Sequence, residues 1–328
     1  MGHPLHQIPW SIVLAAVVAP VLAAQSPAPT FPIKPIRIVV PAAPGGASDL
    51  LSRMLSGPLI KALGQPVIID NRTGAGGQIG CEAVARSAPD GHTVLFWDYG
   101  SLTIAPAVRP TFPFNPSRDF RAITIVSYSP HLLAVHPSVP VSNVRQLVEL
   151  ARAHPGKLNY AAANLGAAPH LAGVLLALRS GIRWEYIAAK GGSQAISDVA
   201  SGQADVLLNS ALATLPHVRS GRLKLLAVSS AKRVGSLPET PTIVESGIPG
   251  FVTGSWQGML ASAAAPPDTV ATLNREVVRI LAQTDVRAKL EALSAEVVAN
   301  SPEQAQSFVD SEQARWADVV KRAGIKLE

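Results

Sequence analysis

The residues that invite chemistry in this chain are glycines and small polar side chains at the ends of apolar runs. Residues 41–50 read PAAPGGASDL and follow the β-branched run Ile36-Arg37-Ile38-Val39-Val40. After them Leu50, Leu51, Met54, Leu55 and Leu59 recur at helical spacing, with Ser48 placed as the N-cap. Gly45 and Gly46 have no Cβ, so the backbone there can come close to a ligand. N–H groups at a helix start lack intrahelical acceptors and favour an anion. One such loop is as readily a plain strand-to-helix turn, but further glycine-bearing loops follow at RTGAGGQIG (72–80), ANLGAAPHLAG (163–173) and AKGGS (189–193).

The loop at 72–80 fails as a dinucleotide fingerprint. Counting from Gly74, the second glycine fits at Gly76, but Ile79 stands where the third belongs. No GxSxG, phosphate-loop, HExxH or CxxC pattern occurs, and the eight histidines show no metal-ligand spacing. Glu82, Asp98, Glu185 and Asp205 lack a partner pattern that would mark an acid–base pair. Asp98-Tyr99-Gly100-Ser101, at the end of the strand at 93–97, is nonetheless placed to contribute to the same face as the glycine loops. A Ser/His/Asp set assembled from distant positions stays open. No catalytic residue, metal or cofactor is assigned, and the chain is not expected to be an enzyme.

The elements that hold these loops alternate between strand and helix. Strands are expected at 36–40, 67–71, 93–97, 158–162, 186–188, 204–209, 223–228 and 256–261. Two apolar runs, Ile123–Tyr128 and His131–His136, are split by Ser129-Pro130. Helices are expected after the glycine loops, at 143–153, from Asp268 or Thr269 to Gln283, and from the capping box Ser301-Pro302-Glu303-Gln304 to about Arg322. Residues 105–120 and 236–250 read as irregular. The doubled rhythm predicts an α/β protein with parallel or mixed sheets.

The chain has 328 residues, 48% hydrophobic and 15% charged, enough for one large domain or two ordinary ones. Its net charge of +6 is mild and no Lys/Arg cluster occurs, which argues against nucleic acid. Ile8 to Ala24 is an apolar run with small residues near Ala23, so an export signal over 1–24, cut near Ala23/Ala24, and a flexible lead-in at 25–30 are expected. Against this, the first seven residues hold no Lys or Arg, and Pro9 and Pro20 interrupt the run. The lone Cys81 leaves no internal disulfide and reads as a small buried helix residue.

The segments APGGASD (43–49), LGQPVIIDNRTGAGGQIG (63–80), PDGHTVL (89–95), HPGKLNYAAANLGAAPHLAG (154–173), KGG (190–192), SGQADV (201–206), LPETPTIVESGIPGF (237–251) and ARWADVVK (314–321) occur in that order. In this the chain resembles the substrate-binding proteins of tripartite tricarboxylate transporters, the Bug receptors, over residues 31–328. The resemblance implies a two-lobed periplasmic-binding-protein fold, of the Venus-flytrap, type II-like kind, with a ligand cleft between lobes. Residues 31–127 plus 233–328 would form one lobe and 128–232 the other, with Ile123–Tyr128 and Leu223–Val228 as hinge segments. It implies a monomeric periplasmic receptor that delivers a small carboxylate ligand to a membrane permease.

By position, the resemblance places first-lobe contacts at Ala43, Pro44, Gly45, Gly46, Ala47, Ser48 and Asp49, with Gly76 and Gly77 beneath them. Second-lobe contacts would be Asn164, Gly166, Ala167, Ala168, Lys190, Gly191 and Asn209. Ala42, Ala189, Ala167, Ala168 and Asn209 depart from the family's usual residues. These departures imply a roomier, less polar and less negative pocket, for a bulkier or aromatic carboxylate and against an amino acid. Two other readings stay open: an exported enzyme on this scaffold acting on a carboxylate ester or amide, and an orphan receptor feeding a sensor.

Overall fold

The computed structural model describes residues 1–2, 31–108 and 113–323. The expected export signal, its cleavage site and the lead-in fall on residues 3–30, outside those described.

β1 (Ile36–Val40) leads to α1 (Ala47–Leu63), β2 (Val67–Asn71), a 3-10 turn at Ala75–Gly77, α2 (Gln78–Ala85) and β3 (Thr93–Asp98). Then come α3 (Tyr99–Val108), the single turn α4 (Pro116–Asp119) and β4 (Phe120–Val135). The middle of the chain carries α5 (Val144–Ala153), β5 (Asn159–Ala163), α6 (Ala168–Ser180), β6 (Glu185–Ala189), α7 (Gly192–Ala200), β7 (Val206–Ser210), α8 (Ala211–Arg219) and β8 (Lys224–Val228). Last are β9 (Gly254–Ser262), α9 (Pro267–Leu281), α10 (Thr284–Ala292), β10 (Glu296–Val297) and α11 (Pro302–Ala323).

β4 organises the sheet. It runs 16 residues without a break, through the Ser129-Pro130 step that the sequence marks as a divide. Pro130 faces Gly254 at the last pair of the β9 ladder, where a missing N–H is tolerated. At that point β4 changes partners. Phe120–Pro130 pair antiparallel with β9, whereas His131–Val135 pair with β7 and Leu132–Val135 with β8 on the other side. β1 lies parallel to β2 and β3, and β3 antiparallel to β9; β5 lies parallel to β6 and β7. The result is an α/β fold with a mixed sheet, consistent with two lobes. β8 stays within the second half, so the chain returns through residues 229–253 into β9 rather than along Leu223–Val228.

Each half has its own apolar core. Ile38, Val40, Leu51, Leu55, Leu95 and Phe96 belong to the first, with Cys81 buried among them, and burial pushes its thiol well up. Leu133, Tyr160, Leu176, Leu208 and Phe251 belong to the second. Ile104, Val108, Ala168, Leu171 and Val320 join α3, α6 and α11. The sequence reading lacks α3, α8, α10 and β10. α3 (YGSLTIAPAV) is apolar on nearly all sides and contains Pro106, and α8 contains Pro216, so neither shows an amphipathic period. The box at α11 forms as expected: Ser301 N donates to Gln304 Oε1 at 3.1 Å and Gln304 N to Ser301 Oγ at 3.3 Å.

Candidate functional site

A cavity of about 40 Å³ lies where β3, β9, α1, α6, α7 and β7 converge. Its wall combines Gly46, Ala47 and Ser48 with Trp97, Asp98, Ser101, Ser255 and Gln257 on one side. Asn164, Ala167, Pro169, Gly192, Asn209 and Ser210 complete it on the other, and Ala42 and Ala163 also reach it.

α1 starts at Ala47 with Gly46 at the N-cap position and no side-chain cap. Ser48 is therefore not the cap. It lies inside the first turn, and its hydroxyl donates to Gln257 Oε1 at 2.6 Å, tying α1 to β9. The first N–H groups of α1 have no intrahelical acceptor and border the cavity through Ala47 and Ser48. Gly45, at φ +83°, makes the turn that a Cβ would strain. Its N–H donates to Asp49 Oδ2 at 2.9 Å. Arg53 binds the same carboxylate at 3.0 Å. Burial works against the Asp49 charge, but Arg53, the Gly45 N–H and Asn71 outweigh it and hold the carboxyl below its ordinary range. Asp49 thus closes its own loop and does not face the cavity.

The opposite half brings two more helix starts. Asn164, at φ +51°, and Gly166, at φ +86°, turn the chain into α6, whose cap position is Ala167 without a side-chain bond. Gly166 N donates to His170 Nδ1 at 3.1 Å, and burial lowers His170 to about 4. α7 begins at Gly192, where a Cβ would lie 2.9 Å from Asn209 Nδ2. Ser210 holds the N-cap position of α8 but makes no cap bond. Ser129 Oγ of β4 accepts from Leu212 N instead, at 3.2 Å.

The end of β3 supplies what the loops do not. Asp98 Oδ1 accepts from Ser101 N at 2.6 Å and Ser101 Oγ at 2.7 Å, so Asp98 caps α3. Ser101 Oγ also accepts from Ala168 N at 3.1 Å, joining α3 to α6. Burial raises the Asp98 carboxyl to about 6 against the opposing Ser101 and Trp256 N–H groups and the Ser101 and Ser255 hydroxyls. Behind the wall His131 of β4 lies near Ser255 Oγ through Nε2 at 3.3 Å and Thr253 Oγ1 through Nδ1 at 3.0 Å. Burial lowers His131 to about 3, so it is neutral at ordinary pH.

Six of the residues expected at a site therefore meet at one cavity: Gly46, Ala47, Ser48, Asn164, Ala167 and Asn209. Ala43, Pro44, Gly45, Asp49, Gly166, Ala168 and Gly191 are within two residues of the lining in sequence but are not part of it. Lys190 is exposed, and its N–H donates to Gln194 Oε1. Gly76 and Gly77 lie further out. A Cβ on Gly77 would sit 2.9 Å from the Trp97 ring, so that turn supports the wall from outside. Two close approaches bring the loops together beside the cavity: a Cβ on Gly191 would lie 3.3 Å from Ala43 N, and one on Gly45 3.5 Å from Ser193 Cβ.

The space is small, half of its lining residues are polar, and Asp98 brings a carboxyl to it. Ser210, Ser255 and Gln257 escaped the sequence reading, whereas Asp98 and Ser101 stand at the strand end that it expected to contribute to the ligand face. The signal for Asp98 and Ser101 was an Asp three residues ahead of a Ser at a strand end, an N-cap pattern. None of the described side chains in the wall is basic, and no cluster of metal-ligating residues occurs among the described residues.

Residues 51–325 match the sequence profile of the family described as the tripartite tricarboxylate transporter family receptor. The chain is 34% identical to Protein BugT of Bordetella pertussis over 308 residues, covering 94% of each. Among solved structures, it is similar to R. palustris Rpa4515 with adipate: TM-score 0.87, 33% identity, 90% of this chain and 99% of that one. It is also similar to MatC of Rhodopseudomonas palustris with bound malate: TM-score 0.85, 32% identity, 88% of this chain and 100% of that one. This chain belongs to the tripartite tricarboxylate transporter family of receptors.

Proposed function

We propose that the protein is a periplasmic receptor that captures a small dicarboxylate between its lobes and delivers it to a membrane permease of the tripartite tricarboxylate type. The observation that carries this reading is the convergence of the starts of α1, α6 and α7 on one polar cavity with no basic side chain among its described residues. Exposed N–H groups at helix starts hold an anion without a cation. Amide and hydroxyl groups of Ser48, Asn164, Asn209, Ser255 and Gln257 surround the same space and fix orientation.

The adipate and malate in the structures similar to this one favour a dicarboxylate over an aromatic acid. Export is supported by the apolar run at 8–24. Among the described residues no helix is long and apolar enough to cross a membrane. Both walls come from one chain, so a single copy suffices. We take the lobes as 31–127 with 233–328, and 128–232. The partner change of β4 at Pro130–His131 supports that division. Ligand binds as the Ala43–Gly191 and Gly45–Ser193 contacts part and re-form, which stabilises the closed arrangement.

The test is a thermal-shift panel on refolded, ligand-stripped protein, with malate, adipate, citrate, benzoate and glutamate. A dicarboxylate at a hundredfold excess over Kd stabilises the folded state by about 2.7 kcal/mol, a rise of several degrees in Tm. No rise with any carboxylate rejects the reading. A rise confined to benzoate rejects the dicarboxylate.

A further inference from the structure

Two buried polar atoms in the cavity wall have no hydrogen-bond partner, and they come from opposite halves of the molecule. One is Asp98 Oδ2, on a residue 4% exposed; the other is Ser210 Oγ, on a residue 2% exposed. Both residues line the same cavity. A buried polar atom left without a partner is unfavourable, and native folds retain few of them. Each has a specific local cause. Ser101 engages only Oδ1 of Asp98, and the Trp256 N–H and Ser255 hydroxyl, though they oppose its rise, close no hydrogen bond to Oδ2. Ser129 takes over the capping of α8, which leaves the Ser210 hydroxyl for the cavity.

We propose that Asp98 and Ser210 form a proton-bearing subsite that takes one carboxylate of the ligand, with Asp98 in its acid form, so that capture draws a proton from solution. This rests on the dicarboxylate reading above. In the bound state the Asp98 O–H donates to one ligand carboxylate oxygen and the Ser210 O–H to the same group. The proton comes from solvent whenever Asp98 is ionised beforehand, and it returns there on release.

The charge balance of the site favours this arrangement. With no basic side chain among the described wall residues, a ligand carboxylate beside an ionised Asp98 would meet a repulsion that only the helix-start N–H groups and the hydroxyls oppose. Two carboxyls in such contact share a proton, and the second charge pushes the pair's apparent pKa up. Burial, working against the Ser101, Trp256 and Ser255 groups, has already brought Asp98 to about 6.

The groups on neighbouring elements do not offset the effect. Arg37 of β1 pairs with Asp70, Arg53 of α1 with Asp49, and Glu82 of α2 with Arg86. Lys61 sits in the last turn of α1, far from its cavity end. Cys81 and Tyr99 are held neutral by burial, and β9 carries no titratable side chain. His170 of α6 and His131 of β4 are both lowered by burial and neutral above about 4 and about 3.

The experiment is calorimetric titration of malate and adipate into the ligand-stripped protein from about pH 6.5 to about pH 8.5, where both ligand carboxyls are ionised. Buffers of different ionisation enthalpy report the protons taken up. Wild type should lose up to about tenfold in affinity per pH unit across this range, with up to about one proton absorbed per ligand. Asp98→Asn keeps a donor but cannot titrate, so both the slope and the proton uptake should vanish. Ser210→Ala should weaken binding at every pH and keep the slope.

A flat wild-type profile with no proton uptake overturns the subsite while leaving the receptor reading intact. So does an Asp98→Asn variant that folds and keeps the wild-type slope. Affinity that rises with pH, for an ammonium-bearing ligand such as glutamate, also overturns it, because Asp98 would then act as an anion. Absence of binding by wild type at every pH, with no thermal shift, removes the receptor reading itself.

Discussion

The two walls around the start of α1 use their polar groups in opposite ways. The glycine loop at 43–49 satisfies itself: Gly45 N–H and Arg53 occupy Asp49, and Ser48 spends its hydroxyl on Gln257. The strand wall, at the ends of β3 and β7, leaves Asp98 Oδ2 and Ser210 Oγ unpartnered on residues that line the cavity. The loop offers backbone N–H groups held in place by its own side chains. The strand ends offer side chains held in place by backbone. Substitutions in the loop should therefore act on stability, and those at the strand ends on ligand and pH.

The largest expected effect lies at Asp98. Burial moves its carboxyl from 3.8 to about 6 in the folded protein, which corresponds to about 3 kcal/mol. A carboxyl raised by folding binds more protons in the native state, so the stability it contributes is complete below about pH 4 and is lost as pH rises through about 6. His131, lowered by burial to about 3, acts the other way and loses stability as pH falls below its ordinary value. Comparing urea unfolding of wild type and Asp98→Asn at matched pH cancels His131. Relative to the variant, wild type should weaken by about 3 kcal/mol between about pH 4 and about pH 7. A constant difference would mean that Asp98 does not titrate there, and the contrast between the walls would fail.

The same contrast explains what the sequence revealed. β1, β2 and β8 were legible because short β-branched or apolar runs bounded by turn residues leave few alternatives. The starts of α1, α6 and α7 were legible because Gly45, Gly166 and Gly191 mark backbone that other residues strain or crowd. Ser48 was placed on the correct helix with the wrong role, since the cap rule knows nothing of Gln257, 209 residues away. Ser255 was invisible for a similar reason. It comes near Asp98 only when β3 pairs antiparallel with β9, a contact of high sequence separation without a local pattern. Motifs record where backbone must bend, and the polar lining of a cavity is set by strand register.

A second prediction concerns the outer support of the strand wall. Gly77 has φ +96°, and a Cβ there would press on the Trp97 ring at 2.9 Å. Gly77→Ala therefore combines left-handed strain with overpacking and should destabilise by about 2 kcal/mol, while malate affinity changes less than about threefold. Chemical unfolding and calorimetry on the same preparation check both. A large affinity loss with little change in stability would make the 3-10 turn part of the binding wall.

The smallest effect is expected where the glycine loop is most self-contained. Asp49→Asn keeps the shape of the side chain and an acceptor for the Gly45 N–H, but gives up the charge that Arg53 neutralises. Arg53 is half exposed, with a side-chain exposure of 52%, so water screens much of that attraction and the loss should be about 1 kcal/mol. The direction with pH is fixed by the lowered carboxyl. The contribution of Asp49 is present above the ordinary carboxylate range and is lost as pH falls through its lowered value, so wild type and variant should converge in acid. Salt should shrink the difference near neutral pH as well, because half of the pair faces solvent. Ligand affinity should hold, since Asp49 is turned from the cavity into its own loop. If Asp49→Asn instead weakens malate binding while unfolding is unchanged, the loop is not self-contained, and its carboxylate shapes the N–H groups of α1 for the ligand.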